Sequence, residues 1–165
     1  MNAVDFIGLI GLIVFIKAIF SSTRKKVVLY MMISTIFYGV NVYYYNGTTG
    51  FIVSMISVSF LMLSYITEND KVKKLQILTP IVALTVYWVN DFSNEGLIAS
   101  IGSFFAAMGA IQNDVNKARK IYFLSSITWL IYGVFINSIA AILFDIFGSF
   151  ALVYKILKSE AKKNE

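Results

Sequence analysis

The sequence predicts an all-α membrane protein in which seven transmembrane helices form two parallel three-helix bundles joined by a linker helix. The first observation behind this fold class is composition: 58% of the 165 residues are hydrophobic and 14% are charged, whereas about a quarter of a soluble globule is charged. The second is that basic residues recur in clusters. The third is an internal repeat at an offset of 94 residues. So short a chain cannot bury this much apolar surface in its own core, so lipid must cover part of it.

Charge patterning indicates how the helices are oriented. All 14 Lys and Arg residues fall in four clusters, at Lys17 to Lys26, Lys71 to Lys74, Lys117 to Lys120 and Lys155 to Lys163. The turns between them carry no Lys or Arg, and they lie at Asn46-Gly47, Asp91 to Glu95 and Asn137-Ser138. The positive-inside rule places the clusters in the cytoplasm. With seven spans, this multi-pass protein has its N-terminus outside and its C-terminus in the cytoplasm.

Composition also excludes several classes of function. The chain has no Cys and no His, which removes disulfides, Cys/His metal sites, Cys nucleophiles and Ser-His-Asp triads. We therefore expect neither an enzyme nor a bound cofactor or metal. The net charge of +5 is explained by cytoplasmic anchors beside anionic lipid. The expected partners are the lipid bilayer and a small solute, and not a nucleic acid.

Apolar stretches between the loops predict the seven helices in order, over residues 4–20, 27–45, 48–66, 75–89, 96–111, 121–137 and 138–157. The first lacks a basic segment before it and a cleavage site after it, so it is a span rather than a signal peptide. The second and third meet at Asn46-Gly47. The fourth holds the only proline, Pro80, and links the two halves. The fifth leads into a basic cluster, and the sixth and seventh meet at Asn137-Ser138.

The internal repeat assigns these helices to two equivalent bundles. Tyr38-Gly39-Val40 matches Tyr132-Gly133-Val134, and Asn46-Gly47 matches Asn137-Ser138 after a three-residue gap. The predicted divisions are 1–67 for the first bundle, 68–94 for the linker helix and its loops, 95–158 for the second bundle and 159–165 for a cytoplasmic tail. Parallel repeats are a transporter device with the site between the halves. One chain then provides one pathway, and an oligomer is compatible with this plan but not required.

Short segments resemble a bacterial inner membrane family typified by YgjV, namely Ile101-Gly102, the run from Ala110 to Asp114 and the run from Trp129 to Gly133. This resemblance implies a location in the bacterial inner membrane and carries no function. The 3+1+3 plan is similar, as architecture, to that of the SWEET sugar facilitators and their half-sized relatives. It implies facilitated diffusion by alternating access of two triple-helix bundles.

The SWEET resemblance also implies four substrate-binding residues. In the later triplet of those carriers a Trp is followed sixteen positions on by an Asn, and Trp129 and Asp145 have that spacing. In the first triplet a small polar residue has a partner nineteen positions on, and Thr35 and Ser54 fit. This chain departs from the SWEET pattern in the acidic Asp145, in lacking the PQ dipeptide and in lacking the hinge prolines.

The residues themselves single out Asp145. It follows Asn137 by eight residues, which places it roughly 12 Å below the helix end, and Trp129 precedes Asn137 by the same interval. An ionisable group at that depth is costly and indicates a functional site. Two interpretations stay open for Asp145: it binds a hydroxylated or cationic solute or a proton, or it ties helices together. Trp129 is either a stacking wall or a packing residue.

Three further residues are candidates for the pathway. Asn41 is either a pocket edge or an interhelical hydrogen-bond donor, and the repeat-related Tyr38 and Tyr132 either close the pathway or pack the core. The expected function is transport of a sugar or other small polar solute. The alternatives are a proton-coupled transporter of an amino acid or vitamin precursor that uses Asp145, and a non-transporting receptor or assembly factor.

Overall fold

A computed structural model of the chain describes residues 3–67, 74–75, 78–90 and 93–161. This part of the chain contains seven helices and no strand. In chain order they are α1 (Ala3–Phe20), α2 (Arg24–Tyr44), α3 (Thr48–Thr67), α4 (Leu78–Asn90), α5 (Asn94–Ala110), α6 (Val115–Phe135) and α7 (Ile139–Ala161). The all-helical class is confirmed. The predicted linker loop at 68–73 and the tail beyond Ala161 lie outside the described residues.

The basic residues from Arg24 to Lys26 and from Lys117 to Lys120 are helical, which the sequence-based boundaries missed. Helix α6 was predicted to begin at residue 121, yet it begins at Val115. The cause is Asp114, whose carboxylate accepts hydrogen bonds from the backbone N–H groups of Asn116 and Lys117 and so caps the helix. Lys and Arg are good helix formers, and α2 likewise begins at Arg24 within its cluster. The predicted helices α2 and α6 therefore began too late, because the basic residues at their starts were assigned to loops.

Six of the helices form a closed ring. Helix α1 packs against α2 and α7, α2 against α3, α3 against α5, α5 against α6, and α6 against α7. Helix α4 packs against α3 and α5 from outside this ring. The end of the ring that holds Asn46 and Asn137 is called the turn end below, and the opposite end, where α1 ends and α2 and α6 begin, is called the basic end.

Glycines let α1 sit close to both of its neighbours. A Cβ atom on Gly8 would lie 2.8 Å from Cβ of Ala140 in α7, and one on Gly11 would lie 2.9 Å from Cβ of Phe37 in α2. Small residues of this kind allow helix backbones to approach each other where packing, rather than water, drives association. Helix α1 is thereby held between the two halves of the chain.

Polar side chains join the helices at both ends of the ring. At the turn end, the Asn41 amide donates to the carbonyl oxygen of Val4 (3.1 Å) and accepts from the Ser138 hydroxyl (2.7 Å). At the basic end, the Arg119 guanidinium donates to the carbonyl oxygens of Ile19 (3.0 Å) and Ser21 (3.4 Å). The Arg119 contacts satisfy carbonyl groups at the C-terminal end of α1, and the Asn41 contacts tie the start of α1 to α2 and to the turn before α7.

The turns that end α2 and α6 are built alike. Asn46 and Asn137 have positive φ angles of 60° and 54°. The next amide in each turn, of Gly47 and of Ser138, donates back five residues to the carbonyl oxygen of Val42 and of Gly133, at 3.0 Å in both cases. This is a helix C-terminal motif that requires a left-handed residue, a conformation that Asn tolerates better than most side chains.

The outer surface of the ring is apolar. Phe6 and Ile13 on α1 and Phe150 on α7 are exposed over 60% or more of their surface. By length and composition, α1, α2 and α7 are each able to cross a bilayer, and Thr48–Leu63 is a shorter apolar stretch. Helices α4 and α5, with 13 and 17 residues, fall below the length of about 20 residues expected of a span. A helical membrane protein is therefore plausible, and the seven predicted spans are not reached on this measure.

Replacing Asn137 tests the left-handed turn. We expect Asn137→Ala to lower the free energy of unfolding in detergent by about 1 kcal/mol, because a Cβ-bearing residue without a polar side chain disfavours positive φ. Asn137→Gly is the matched control and should keep wild-type stability. Thermal melting followed by circular dichroism would measure both, and equal melting temperatures for the Ala and Gly variants would contradict this account.

Candidate functional site

The ring of helices surrounds a cavity of about 120 Å³, called the central cavity below. Each of the six ring helices contributes lining residues, and α4 contributes none among those described. Seven lining residues are serine or threonine: Ser34, Thr35, Ser54, Ser57, Ser103, Ser125 and Ser126. The cavity wall thus combines these hydroxyl side chains with apolar ones such as Phe15, Leu61 and Phe144.

Five of the seven predicted site residues line this cavity: Thr35, Tyr38, Ser54, Trp129 and Asp145. They come from α2, α3, α6 and α7, and they lie toward its turn end. The lining continues toward the basic end along Leu61, Ala110 and Tyr122. The structure therefore brings together the four residues implied by the SWEET spacing, although they are separated by up to 110 positions in the chain.

Asp145 is the charged residue of this lining. It is 3% exposed, and its carboxylate accepts hydrogen bonds from the Tyr38 hydroxyl (3.3 Å) and the Ser126 hydroxyl (3.1 Å). The Ser126 oxygen also lies 3.1 Å from the backbone carbonyl oxygen of Asp145. Asp145 on α7 is thereby joined to α2 and α6. The same carboxylate links helices and faces the cavity, so its geometry fits both interpretations left open by the sequence.

Aromatic rings line the turn end of the cavity. Trp129 meets Tyr38 edge-on, with ring centroids 5.7 Å apart, and Tyr38 meets Phe144 at 4.9 Å. Gly102 makes room for the indole, since a Cβ atom there would lie 2.9 Å from Nε1 of Trp129. Edge-to-face packing of this kind fixes ring orientation, so the rings that line the cavity are held in place.

Tyr132 lies outside the central cavity and lines a second one. That second cavity, at the turn end, has a volume of about 440 Å³ and is bordered also by Tyr45, Glu95 and the Asn46 and Asn137 turns. Tyr132 is 1% exposed, and its ring packs edge-on against Trp129 at 5.3 Å. The side chain thus has the second cavity on one side and a wall of the central cavity on the other.

The hydroxyl of Tyr132 is seated in a notch on α3. It accepts a hydrogen bond from the backbone N–H of Gly50 at 3.2 Å. A Cβ atom would lie 2.6 Å from this hydroxyl oxygen if placed on Gly47 and 2.5 Å if placed on Gly50. Both glycines are therefore needed for the ring of Tyr132, from the second half of the chain, to reach the first half.

Asn41 does not reach the central cavity. It is fully buried, and its amide is used by Val4 and Ser138.

Sequence reasoning missed Ser34, Ser57, Ser103, Ser125 and Ser126 as lining residues. Helical spacing held a signal for two of them, since Ser126 precedes Trp129, and Ser57 follows Ser54, by three residues. Among the described residues, no group of three Asp, Glu, His or Cys side chains could hold a metal ion.

Comparison with known proteins supports the location of the chain. Residues 3–163 match the model of a family, Imp-YgjV, described as bacterial inner membrane protein. No curated protein and no solved structure matches the chain, so the resemblance to SWEET carriers stays a resemblance of plan. Since the family match covers almost every residue, the chain belongs to the Imp-YgjV family of bacterial inner membrane proteins.

Proposed function

We propose that this protein is a small-solute transporter of the inner membrane and that the central cavity is its solute site. The observation that carries the proposal is a cavity with seven Ser and Thr residues and Asp145 on its wall, inside a ring of helices with an apolar exterior. Polar and ionisable side chains are costly within a membrane and mark pathways for solutes and ions. A cavity of about 120 Å³ can hold several waters or one small solute.

The contacts of the ring support a pathway between two equivalent halves. The α1–α7 contact joins the first helix of one triplet to the third of the other, and the α3–α5 contact does the same in the opposite sense. The turns at Asn46 and Asn137, each with a positive φ angle at the Asn, occupy corresponding places in the two triplets. We propose seven spans, with both triplets in the same orientation, α4 as the linker and the basic end in the cytoplasm.

Tyr132 provides the barrier at the outer side in this proposal. Its hydroxyl rests in the Gly47–Gly50 notch, and its ring backs Trp129. When Tyr132 leaves the notch, the second cavity and the central cavity become continuous, and a solute gains access from outside. In this proposal the turn end is closed and the basic end gives access to the cavity. Facilitated diffusion then requires exchange between the two states.

Fusion reporters test the proposed topology. A fluorescent protein fused to the C-terminus should fluoresce in the cytoplasm, and a periplasmic phosphatase fused at Glu95 should be active, because α5 begins at the turn end of the ring, where the turns carry no Lys or Arg. A fusion after Lys120 should lack phosphatase activity and serves as the internal control. Phosphatase activity in the Lys120 fusion with none in the Glu95 fusion would contradict the proposed orientation. It would also contradict the proposal that both triplets face the same way.

A cysteine reporter tests the barrier, since the chain has no native Cys. In cells, Ser54→Cys should react slowly with a membrane-impermeant thiol reagent added from outside. Adding Gly50→Ala should speed this labelling severalfold, because the new Cβ displaces the Tyr132 hydroxyl. The matched control is Gly109→Ala, whose Cβ would lie 2.9 Å from the ring of Tyr122 at the basic end instead of meeting Tyr132. Equal labelling rates in the Gly50→Ala and Gly109→Ala backgrounds would contradict the barrier.

Osmotic swelling of proteoliposomes tests transport itself. Small amines, alcohols, amino acids and sugars would be compared, and at least one should enter faster than in protein-free vesicles. Trp129→Ala should slow that entry, whereas Trp88→Ala, on the exposed face of α4, should not. A receptor or assembly factor would bind a solute without moving it, so the absence of flux for every class would favour that alternative.

A further inference from the structure

The direction of the hydrogen bonds around the central cavity limits the solute that it can accept. The hydroxyls of Ser34 and Thr35 donate to the carbonyl oxygen of Met31, and those of Ser103 and Ser125 donate to Ser100 and Gly102. A hydroxyl that has committed its hydrogen presents only lone pairs to a solute. The polar wall is therefore rich in acceptors.

The strongest acceptor on this wall is the carboxylate of Asp145, and the Ser126 hydroxyl also points its hydrogen toward it. The described lining residues include no Lys or Arg. Farther along, Arg24 and Arg119 lie near the starts of α2 and α6, at the basic end. A cation is consequently favoured beside Asp145 and disfavoured at the basic end, and an anion finds no cationic side chain among the described lining residues.

From this geometry we infer that the solute of the central cavity is a small organic ammonium ion, an inference that rests on the proposed function. Its N–H groups, or its methyl groups if it is quaternary, lie against the Asp145 carboxylate and the acceptor oxygens of Thr35 and Ser126. The rings of Trp129 and Tyr38 lie on the same part of the wall. Aromatic faces attract organic cations through their quadrupoles, and they do not attract a neutral molecule of the same shape in this way.

Cavity size limits the ion further. An apolar cavity of roughly 150 Å³ holds a benzene molecule of six heavy atoms, and the central cavity is smaller at about 120 Å³. An alkylammonium ion of about five heavy atoms therefore fits this conformation better than a hexose, with about twelve. The SWEET resemblance favoured a sugar, so the acidic Asp145 and the small volume together change the expected class of solute.

Fluorescence of Trp129 provides a direct test, because the chain has two Trp residues and Trp88→Phe leaves Trp129 as the only one. The purified Trp88→Phe protein would be titrated in detergent with tetramethylammonium chloride and with tert-butanol, which has the same number of heavy atoms and the same branching. Ethylammonium and ethanol form a second pair. Sodium chloride at equal ionic strength, sodium acetate and glucose complete the set.

We expect a saturable change with at least one ammonium ion, and affinity lower by about tenfold or more for its neutral counterpart, since a charge-assisted contact is lost. Asp145→Asn should reduce ammonium affinity by about the same factor. Glu160→Gln, which removes an exposed carboxylate paired with Lys120, is the matched control and should leave that affinity unchanged. Circular dichroism would show whether Asp145→Asn folds. If it does not, the comparison of each ammonium ion with its neutral counterpart, in the Trp88→Phe protein that retains Asp145, tests the inference by itself.

Equal responses to an ammonium ion and its neutral counterpart would overturn the inference, as would saturable binding of acetate or glucose with no ammonium response. An ammonium affinity that is unchanged in folded Asp145→Asn would overturn it too. Swelling of proteoliposomes in the same ammonium salt separates the two proposals. Binding without entry would keep the site and reject transport, and entry of another class without ammonium binding would keep transport and reject the ion.

Discussion

The carboxylate of Asp145 is the point on which the arrangement of the ring depends. It lies on α7, and the Tyr38 and Ser126 hydroxyls that donate to it belong to α2 and α6. A buried carboxylate without such donors would destabilise the fold, because desolvation of a charge outweighs the apolar contacts that a side chain of this size can make. The two donors stabilise Asp145, and in return the carboxylate fixes where α2 and α6 meet α7.

Space for these polar contacts comes from glycine. Gly102 accommodates the Trp129 indole, and Gly47 and Gly50 accommodate the Tyr132 hydroxyl. The aromatic side chains in turn connect Asp145 to the turn end, through Tyr38, Trp129 and Tyr132 in edge-on contact. Rings packed edge to face have few alternative arrangements. The site and its barrier thus form one continuous packing unit that extends across both halves of the chain.

Sequence reasoning was most successful for residues that could be identified from their depth in a helix and their spacing in the chain. Asp145 and Trp129 stood out because each lies eight residues from Asn137, and both do line the cavity. For Asn41 the structure agrees with the interhelical hydrogen bond and not with the pocket edge, but its partner Ser138 lies 97 positions away, and no local pattern records such a partner. Most of the lining serines were missed for a similar reason: small polar residues occur throughout helix interfaces, and only the closed ring shows which of them face its interior.

The double use of Asp145 explains how binding could be coupled to helix movement under the proposed function. The carboxylate accepts hydrogen bonds from Tyr38 on α2 and Ser126 on α6. An ammonium ion that approaches the carboxylate competes with those donors, and the longer bond, from Tyr38 at 3.3 Å, is the weaker competitor. Loss of that bond would loosen α2 from α7 and free a ring that packs directly on Trp129. Because Trp129 also packs on Tyr132, solute binding and opening of the turn end would draw on the same set of contacts.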